Sequence, residues 1–435
     1  MSQLVQPTRI LIVGSGGREH GLAWKLAAEP GVNAVYVTLA PTAILAEPRV
    51  HGTPANPLSP SAVVARAQEA AIELVVIGPE AALAAGVGDA LIEAGVPVFG
   101  PTAAAARIES SKAFCRDVAT AAGVPMADGR AFGDGERGAA SAFATTLAAR
   151  GGVVVKADGL AAVKRVTVCE TSDEAAAAIT AIEGPLIVEE RLVGREASVI
   201  AICDGRHVVA LPIARDHKRL GDADTGPNTG GMGAFSPLPD FPDEGADNIL
   251  ERFHRPVLAE LARRGTPFRG ALYAGLMLTD DGPRLLEFNA RFGDPETQVI
   301  LPRVATPLAP LLLAAARGAL DPAATIPMLP GATVGIVLAS AGYPGAVEPG
   351  ARITALDNSG KLPETPDVLV FHSGTLHEVG STFLANGGRV LTVVGRGRDV
   401  EAARDVAEAA ADRIAWPGMQ RRHDIGANVA AGAAR

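Results

Sequence analysis

Short, unbroken apolar runs alternate with helical stretches over the first hundred positions of the chain. Ile10-Leu11-Ile12-Val13, residues 34–38, Leu74-Val75-Val76-Ile77 and Val96-Pro97-Val98-Phe99 read as buried strands. The first stops at Gly14, the third at Gly78-Pro79 and the last at Gly100-Pro101. Between them, residues 21–28 and 61–71 carry helical spacing. A strand covered on both faces shows no polar alternation, so these runs predict a doubly wound parallel sheet.

From about Ser110 the pattern changes. Residues 152–156, 163–169, 186–190 and 197–203 predict a small strand-rich portion, followed by a long polar, glycine-rich loop over 215–233. A helix is expected over 249–264, then strands over 272–278 and 284–288. Pro and Gly punctuate 321–331, after which 334–338 and 389–394 read as strands and 400–414 as a helix. The units this predicts are 1–109, an α/β domain; 110–325, a central domain; and 326–435, an α+β domain.

Composition narrows the picture. At 435 residues the chain exceeds what one core serves, so two to four packed units are expected. Hydrophobic residues make up 48% and aromatics 4%, and the abundant small residues let helices approach a sheet closely. The formal net charge is −9, and no run of Lys and Arg supplies the basic footprint of a nucleic-acid binder. Anionic ligands must then be met by a few placed cations, backbone amides or a metal. Cys115, Cys169 and Cys203 match no zinc spacing and predict buried free thiols in a reducing compartment. No leader pattern opens the sequence and the most apolar stretch, 308–316, is too short to span a bilayer; a cytoplasmic protein without a membrane partner is expected. Oligomeric state leaves no mark in the sequence.

Five segments carry candidate chemistry. Gly14-Ser15-Gly16-Gly17-Arg18-Glu19-His20-Gly21 follows the first strand and opens a helix, where backbone N–H groups suit an anion. Glu19 takes the place of the third glycine of a dinucleotide fingerprint, and Thr38-Leu39-Ala40 offers no acid for a ribose, which disfavours a dehydrogenase. Lys156 at a strand end and Lys112 at a helix start stand where an ammonium can reach a phosphate; plain solvation is the alternative. Glu189-Glu190-Arg191-Leu192-Val193-Gly194-Arg195-Glu196 fits a solvated connector or an adenine hinge equally.

The 215–233 stretch holds Asp216-His217-Lys218-Arg219 and Asp224-Thr225-Gly226-Pro227-Asn228-Thr229-Gly230-Gly231-Met232-Gly233, and its ordered-looking flanks favour a substrate loop. In Glu287-Phe288-Asn289-Ala290-Arg291-Phe292-Gly293-Asp294, the two-residue strand period puts Glu287 and Asn289 on one face. Oxygen ligands of that kind suit Mg²⁺, which completes its shell with phosphate and water. Arg291 follows, suited to bidentate pairing with a carboxylate or phosphate. Charged residues that merely cap a strand are the alternative reading.

Taken in order, these segments resemble the ATP-grasp ligases and, among them, the phosphoribosylamine–glycine ligase (glycinamide ribonucleotide synthetase) family. The matching words extend to Val76-Ile77-Gly78-Pro79-Glu80, Ser111-Lys112-Ala113-Phe114, Gly342-Tyr343-Pro344-Gly345 and Gly387-Gly388-Arg389-Val390-Leu391, so the resemblance covers nearly the whole chain. It implies a pre-ATP-grasp domain, an ATP-grasp fold and a C-terminal α+β domain. The implied reaction joins glycine to 5-phosphoribosylamine through a glycyl phosphate, with ATP and Mg²⁺ (or Mn²⁺) as cofactors. Lys112, Lys156, Glu189, Glu190, Leu192 and Glu196 are implied at the nucleotide, Glu287 and Asn289 at the metal, and Arg291, Lys164 and Asp294 in catalysis. Gly16, Gly17, Arg18, Glu19, Asp216, Lys218, Asp224, Thr225, Gly226, Asn228 and Gly293 are implied at the substrates.

Two departures stand out. The family's Gly-Lys-Gly phosphate loop reads Val163-Lys164-Arg165, which removes positive-φ freedom. Its Pro-Gly-Asn-x-Gly turn reads Pro41-Thr42-Ala43-Ile44-Leu45. The second departure lies near the expected acceptor site and raises a paralogous ligase with another amine acceptor; the first raises a nucleotide binder without turnover.

Overall fold

A computed structural model describes residues 4–159, 166–241, 245–378 and 382–427. Strands Arg9–Val13, Ala34–Thr38, Val50–Thr53, Leu74–Ile77 and Val98–Phe99 form the expected parallel sheet, with Arg9–Val13 at its centre between Ala34–Thr38 and Leu74–Ile77. Ile10, Leu11, Ile12 and Val13 are fully buried, which is why this strand carries no polar alternation. The strand Val50–Thr53 carries no apolar run, because only its ends are buried, flanking exposed His51 and Gly52.

The first helix spans Gly17–Ala27, beginning earlier than the expected residue 21. Glu19 causes the shift. Its Oε2 accepts from Gly16 N at 2.7 Å and caps the helix from within the stretch that reads as a loop. Pro41–Leu45 is a helical turn as well, Thr42–Leu45, which seats Ala43 and Ile44 in the core.

Two antiparallel sheets build the central part. The smaller runs Gly129–Phe132, Leu186–Glu190, Val153–Ala157, Val166–Cys169, under helices Arg137–Ala148 and Ser172–Ala181. Its separate core gathers Leu147, Val153, Val155, Ile179, Leu186 and Val188, each contributing about 1.5–3 kcal/mol by burial. The described part of the last strand is Val166–Cys169; Val163, Lys164 and Arg165 lie outside the described residues. The larger sheet runs Val208–Ala210, Arg195–Asp204, Arg269–Thr279, Gly282–Asn289. The helix expected over 249–264 is continuous from Ala246 to Arg263, with a π segment at Leu250–His254.

A further sheet joins the central and C-terminal parts of the chain: Arg215–Asp216, Gly233–Ser236, Ala332–Ala339, Arg389–Gly397, Val368–His372. The stretch 215–233 is therefore not one loop. Two of its ends pair in this sheet, and Arg219–Gly221 pairs with Thr225–Asn228 as a hairpin. Glycine spacing disguises the hairpin, because its strands carry almost no apolar side chains to alternate. All three cysteines are free and buried, as expected. No helix among the described residues is long and apolar enough to cross a membrane.

Candidate active site

A cavity of about 560 Å³ opens between the two central sheets. Its lining brings together Lys112, Lys156, Glu189, Glu190, Leu192, Glu196, Asp216, Lys218, Asp224, Asn228, Glu287, Asn289 and Arg291. The convergence of so many charged groups of both signs, most of them partly buried, on one concavity is the arrangement of a site and not of a solvated surface.

At one end, the strand that delivers Lys156 lies antiparallel to the strand that delivers Glu189 and Glu190. Lys156 Nζ sits 2.5 Å from Glu189 Oε2, and Arg116 Nη2 sits 3.0 Å from Oε1. Glu190 Oε1 accepts from Asp128 N at 2.8 Å, so this carboxylate also braces the neighbouring strand. Gly194 closes the turn that follows: a Cβ there would lie 2.2 Å from Leu278 O, so only glycine fits. Ser111 caps the helix Lys112–Ala121, and Asp158 Oδ1 accepts from Lys112 N at 2.6 Å. The ammonium of Lys112 donates to Gly159 O at 3.2 Å, which brings both lysines to the end of one strand.

On the opposite wall, Glu287 and Asn289 share a face as the strand period requires, with Asn289 Nδ2 3.4 Å from Glu287 Oε1. Lys218 Nζ lies 2.9 Å from Glu196 Oε2. Burial opposes its charge, but Glu196, Asp216, Tyr273 and Glu287 outweigh that and hold it well above the usual lysine range. Tyr273 stays a neutral phenol, pushed up by burial and then by Glu296 and Asp216. Its hydroxyl lies 2.9 Å from Ser198 Oγ, which donates to Glu296 Oε1 at 3.2 Å.

Arg291 lies just beyond the strand and bridges to the first domain, with Nη2 2.8 Å from Glu109 Oε1 and Nε 3.4 Å from Glu80 Oε2. Burial works against its charge, while Glu109 and Glu80 more than restore it.

Gly16, Gly17, Arg18, Glu19, Gly293 and Asp294 gather separately, outside the cavity lining. Arg18 Nε donates to Glu19 Oε1 at 2.6 Å and its Nη1 to Phe292 O at 3.3 Å. A Cβ on Gly17 would sit 2.5 Å from Ser373 Oγ and 2.8 Å from Gln298 Nε2, so this turn packs directly against the other domains. Asp294 accepts from Gln298 Nε2 at 2.7 Å and from Arg389 Nη2 at 3.2 Å. Burial raises its pKa, yet Arg389 and Arg18 outweigh this and keep the carboxylate ionised. Thr225 and Gly226 belong to neither group; they face Gln420, Arg421 and His423 at the hairpin's outer end. Lys164 lies outside the described residues.

Several site residues carry no role in the sequence reading: Glu80, Glu109, Arg116, Ser198, Tyr273 and Arg389. Glu80 and Arg389 stand within matching words, but nothing in the sequence pairs them with Arg291 and Asp294.

A divalent metal is implied by the ATP-grasp fold. Glu287 and Asn289 offer one carboxylate and one amide on one face, and the described residues contain no cluster of three His, Cys, Asp or Glu that could hold an ion. That donor set fits a hard cation whose remaining ligands are phosphate and water.

Sequence profiles of phosphoribosylglycinamide synthetase match residues 8–109 (N domain), 110–297 (ATP-grasp domain) and 333–428 (C domain). Proteins named phosphoribosylamine–glycine ligase are similar along almost the full chain. That of Streptomyces coelicolor is 46% identical over 97% of this chain and 99% of its own length, and that of Rhizobium meliloti 42% over 96% and 98%. The crystal structure of the Thermotoga maritima phosphoribosylamine–glycine ligase superposes with a TM-score of 0.78 at 32% identity, covering 96% of this chain and all of that one. Biotin carboxylase from Campylobacter jejuni shares the fold alone, with a TM-score of 0.70 at 17% identity over 97% of this chain and 94% of its own. Three profiles in their proper order and full-length relatives above 40% identity leave one assignment: the chain belongs to the phosphoribosylglycinamide synthetase family.

Proposed function

We propose that this protein joins glycine to 5-phosphoribosylamine with ATP, forming glycinamide ribonucleotide, ADP and phosphate, as a step of purine biosynthesis. The observation that carries this reading is one cavity in which Lys112, from a helix start, and Lys156, from the small sheet, converge, while Glu287 and Asn289 line it from the large sheet and Lys218 from the segment that leads into the hairpin. A phosphate chain between those walls meets cations on both sides. Family membership supports the reading across all three parts of the chain, which we divide at 1–109, 110–325 and 326–435.

In this reading Glu189, Glu190 and Leu192 frame the adenine and Glu196 the ribose. Lys112, Lys156 and Lys164 meet the phosphates. A carboxylate oxygen of glycine attacks the γ-phosphorus as the bond to ADP breaks, giving glycyl phosphate. The amine nitrogen of the acceptor then attacks the acyl carbon, loses a proton and expels phosphate. No enzyme nucleophile is required; positioning and charge neutralisation carry both steps. Glu287 and Asn289 would hold Mg²⁺ (or Mn²⁺), which supplies charge neutralisation at the phosphates. Lys218, kept protonated by its acidic neighbours, faces the same region, and Arg291 is braced by Glu109 and Glu80 rather than left to rotate.

The group around Arg18, Glu19, Gly293 and Asp294, beyond Arg291, is assigned to the phosphoribosylamine side. A different amine acceptor is not favoured, since full-length relatives carry the phosphoribosylamine–glycine ligase name. The test is phosphate release by purified protein given ATP, Mg²⁺, glycine and freshly generated phosphoribosylamine. Release that needs both glycine and phosphoribosylamine is expected; release with glycine and hydroxylamine but not with phosphoribosylamine would favour another acceptor.

A further inference from the structure

Arg422 belongs to the C-terminal segment, yet its side chain is buried, 1% exposed, beneath the hairpin that overhangs the cavity. Nε and Nη2 take the two oxygens of Asp424, each at 2.7 Å. The remaining nitrogen, Nη1, donates to Asp224 Oδ1 at 2.6 Å and to Arg219 O at 3.2 Å. Asp424 Oδ2 also accepts from Ala223 N at 2.8 Å, and Asp222 Oδ1 accepts from His423 N at 2.7 Å. Residues 222, 223 and 224 of the hairpin are thus each held by one of residues 423, 424 and 422.

The tie acts where the hairpin is strained. Ala223 and Asp224 have φ of 53° and 52°, a left-handed conformation that residues bearing a Cβ keep only when their surroundings hold it. From there the hairpin runs back over the cavity, with Arg219, Asp224 and Asn228 in the lining. Asn228 Nδ2 reaches Val166 O at 3.5 Å, and Thr229 donates through both N and Oγ1 to Lys218 O. Lys218 is the ammonium that faces Glu196 and Glu287. One chain of contacts therefore leads from the C-terminal segment to the cation of the phosphoryl end.

We propose that Arg422 is a positioning residue for that end of the cavity. It fixes the hairpin, and through it Asp224 and Lys218, in the pose that meets the transferring group, without touching substrate. The inference rests on the ligase reading above. A guanidinium is needed because one planar group must serve a bidentate carboxylate, a second carboxylate and a carbonyl at once. A lysine keeps the charge but cannot fork.

The test compares Arg422→Lys and the milder Asp424→Asn with the unaltered protein in steady-state phosphate release. Arg422→Lys should lower kcat about tenfold to a hundredfold, the loss expected when a reacting group is misplaced by about 1 Å. KM for ATP should change less than kcat, because the adenine frame is held by Lys156, Arg116 and Asp128, and only the Glu196–Lys218 pair links the nucleotide to the hairpin. Asp424→Asn should fall between, and it carries the test alone if Arg422→Lys does not fold. An unchanged kcat with only a lower melting temperature would overturn the proposal, as would a raised ATP KM at constant kcat. Absence of turnover in the unaltered protein would instead sink the ligase reading. The tie is then read by amide hydrogen exchange over 219–229: faster exchange confined there in either variant supports it, and unchanged exchange in both overturns it.

Discussion

Lys156 Nζ and Glu189 Oε2 meet at 2.5 Å between neighbouring strands, while Arg116 holds the other oxygen of the same carboxylate. The lysine proposed for phosphate contact thus rests on the hinge proposed for adenine. Lys156→Ala leaves Glu189 paired with Arg116, so the fold should survive with a melting temperature lowered by no more than a few degrees. The loss should appear in kcat/KM for ATP, by about 10²-fold or more, as expected for removing a cation from developing phosphate charge. Steady-state kinetics with varied ATP checks this. A loss of stability without a loss of ATP affinity or turnover would make Lys156 a structural counter-ion only.

Glu287 and Asn289 should set the metal dependence. Glu287→Ala removes the one carboxylate of the pair and should lower kcat by about 10²–10³-fold, in line with other losses of charge stabilisation at a transition state. Asn289→Asp keeps an oxygen donor at this position and should retain more activity than Asn289→Ala. Phosphate release titrated with Mg²⁺ and Mn²⁺ reads both effects. Equal metal dependence in all three variants would move the ion elsewhere.

Acid should destabilise the protein well before its carboxylates titrate. His217 and His254 are pushed down to about 4 by burial, His217 also by Arg422; His372 is pushed to about 3 by burial and then by His20. Unfolded histidine takes its proton near pH 6.5, so the stability these neutral rings confer is present above that pH and lost as pH falls towards 4. Between pH 6.5 and 5 each can contribute up to about 2 kcal/mol of that loss. Glu29, raised chiefly by burial, acts with the opposite sign near its ordinary pKa and offsets a part. Urea unfolding at pH 7, 6 and 5 should show falling stability; a flat profile would contradict neutral burial of the three rings.

The 41–45 segment should behave as core and not as a substrate turn. Ile44 is fully buried, so Ile44→Ala should cost about 2–4 kcal/mol of stability, with KM values for all three substrates nearly unchanged. Denaturant midpoints and initial rates measure the two effects separately. A large rise in the phosphoribosylamine KM would place the segment at the acceptor.

What was legible in the sequence followed from burial on both faces. Ile10 to Val13 and Leu74–Ile77 are buried throughout and announce a parallel sheet; Val50–Thr53, buried only at its ends, does not. Glu287 and Asn289 were readable as a pair because a strand's period is two. Glycines misled twice: Gly16-Gly17 sits within a helix start capped by Glu19, and the 219–228 hairpin has too few apolar residues to show alternation. Arg291 with Glu109, Asp294 with Arg389 and Asp224 with Arg422 join residues far apart in sequence, and no local pattern encodes such partners.

The central claim is that glycine is activated as an acyl phosphate in the cavity between the two sheets. Glycine labelled with ¹⁸O in its carboxylate tests it directly, with the released phosphate analysed by mass spectrometry. One labelled oxygen per phosphate released, dependent on ATP and phosphoribosylamine and formed about 10²–10³-fold more slowly by Glu287→Ala, is the predicted result. Phosphate free of label, with both labelled oxygens left on glycine, would contradict it.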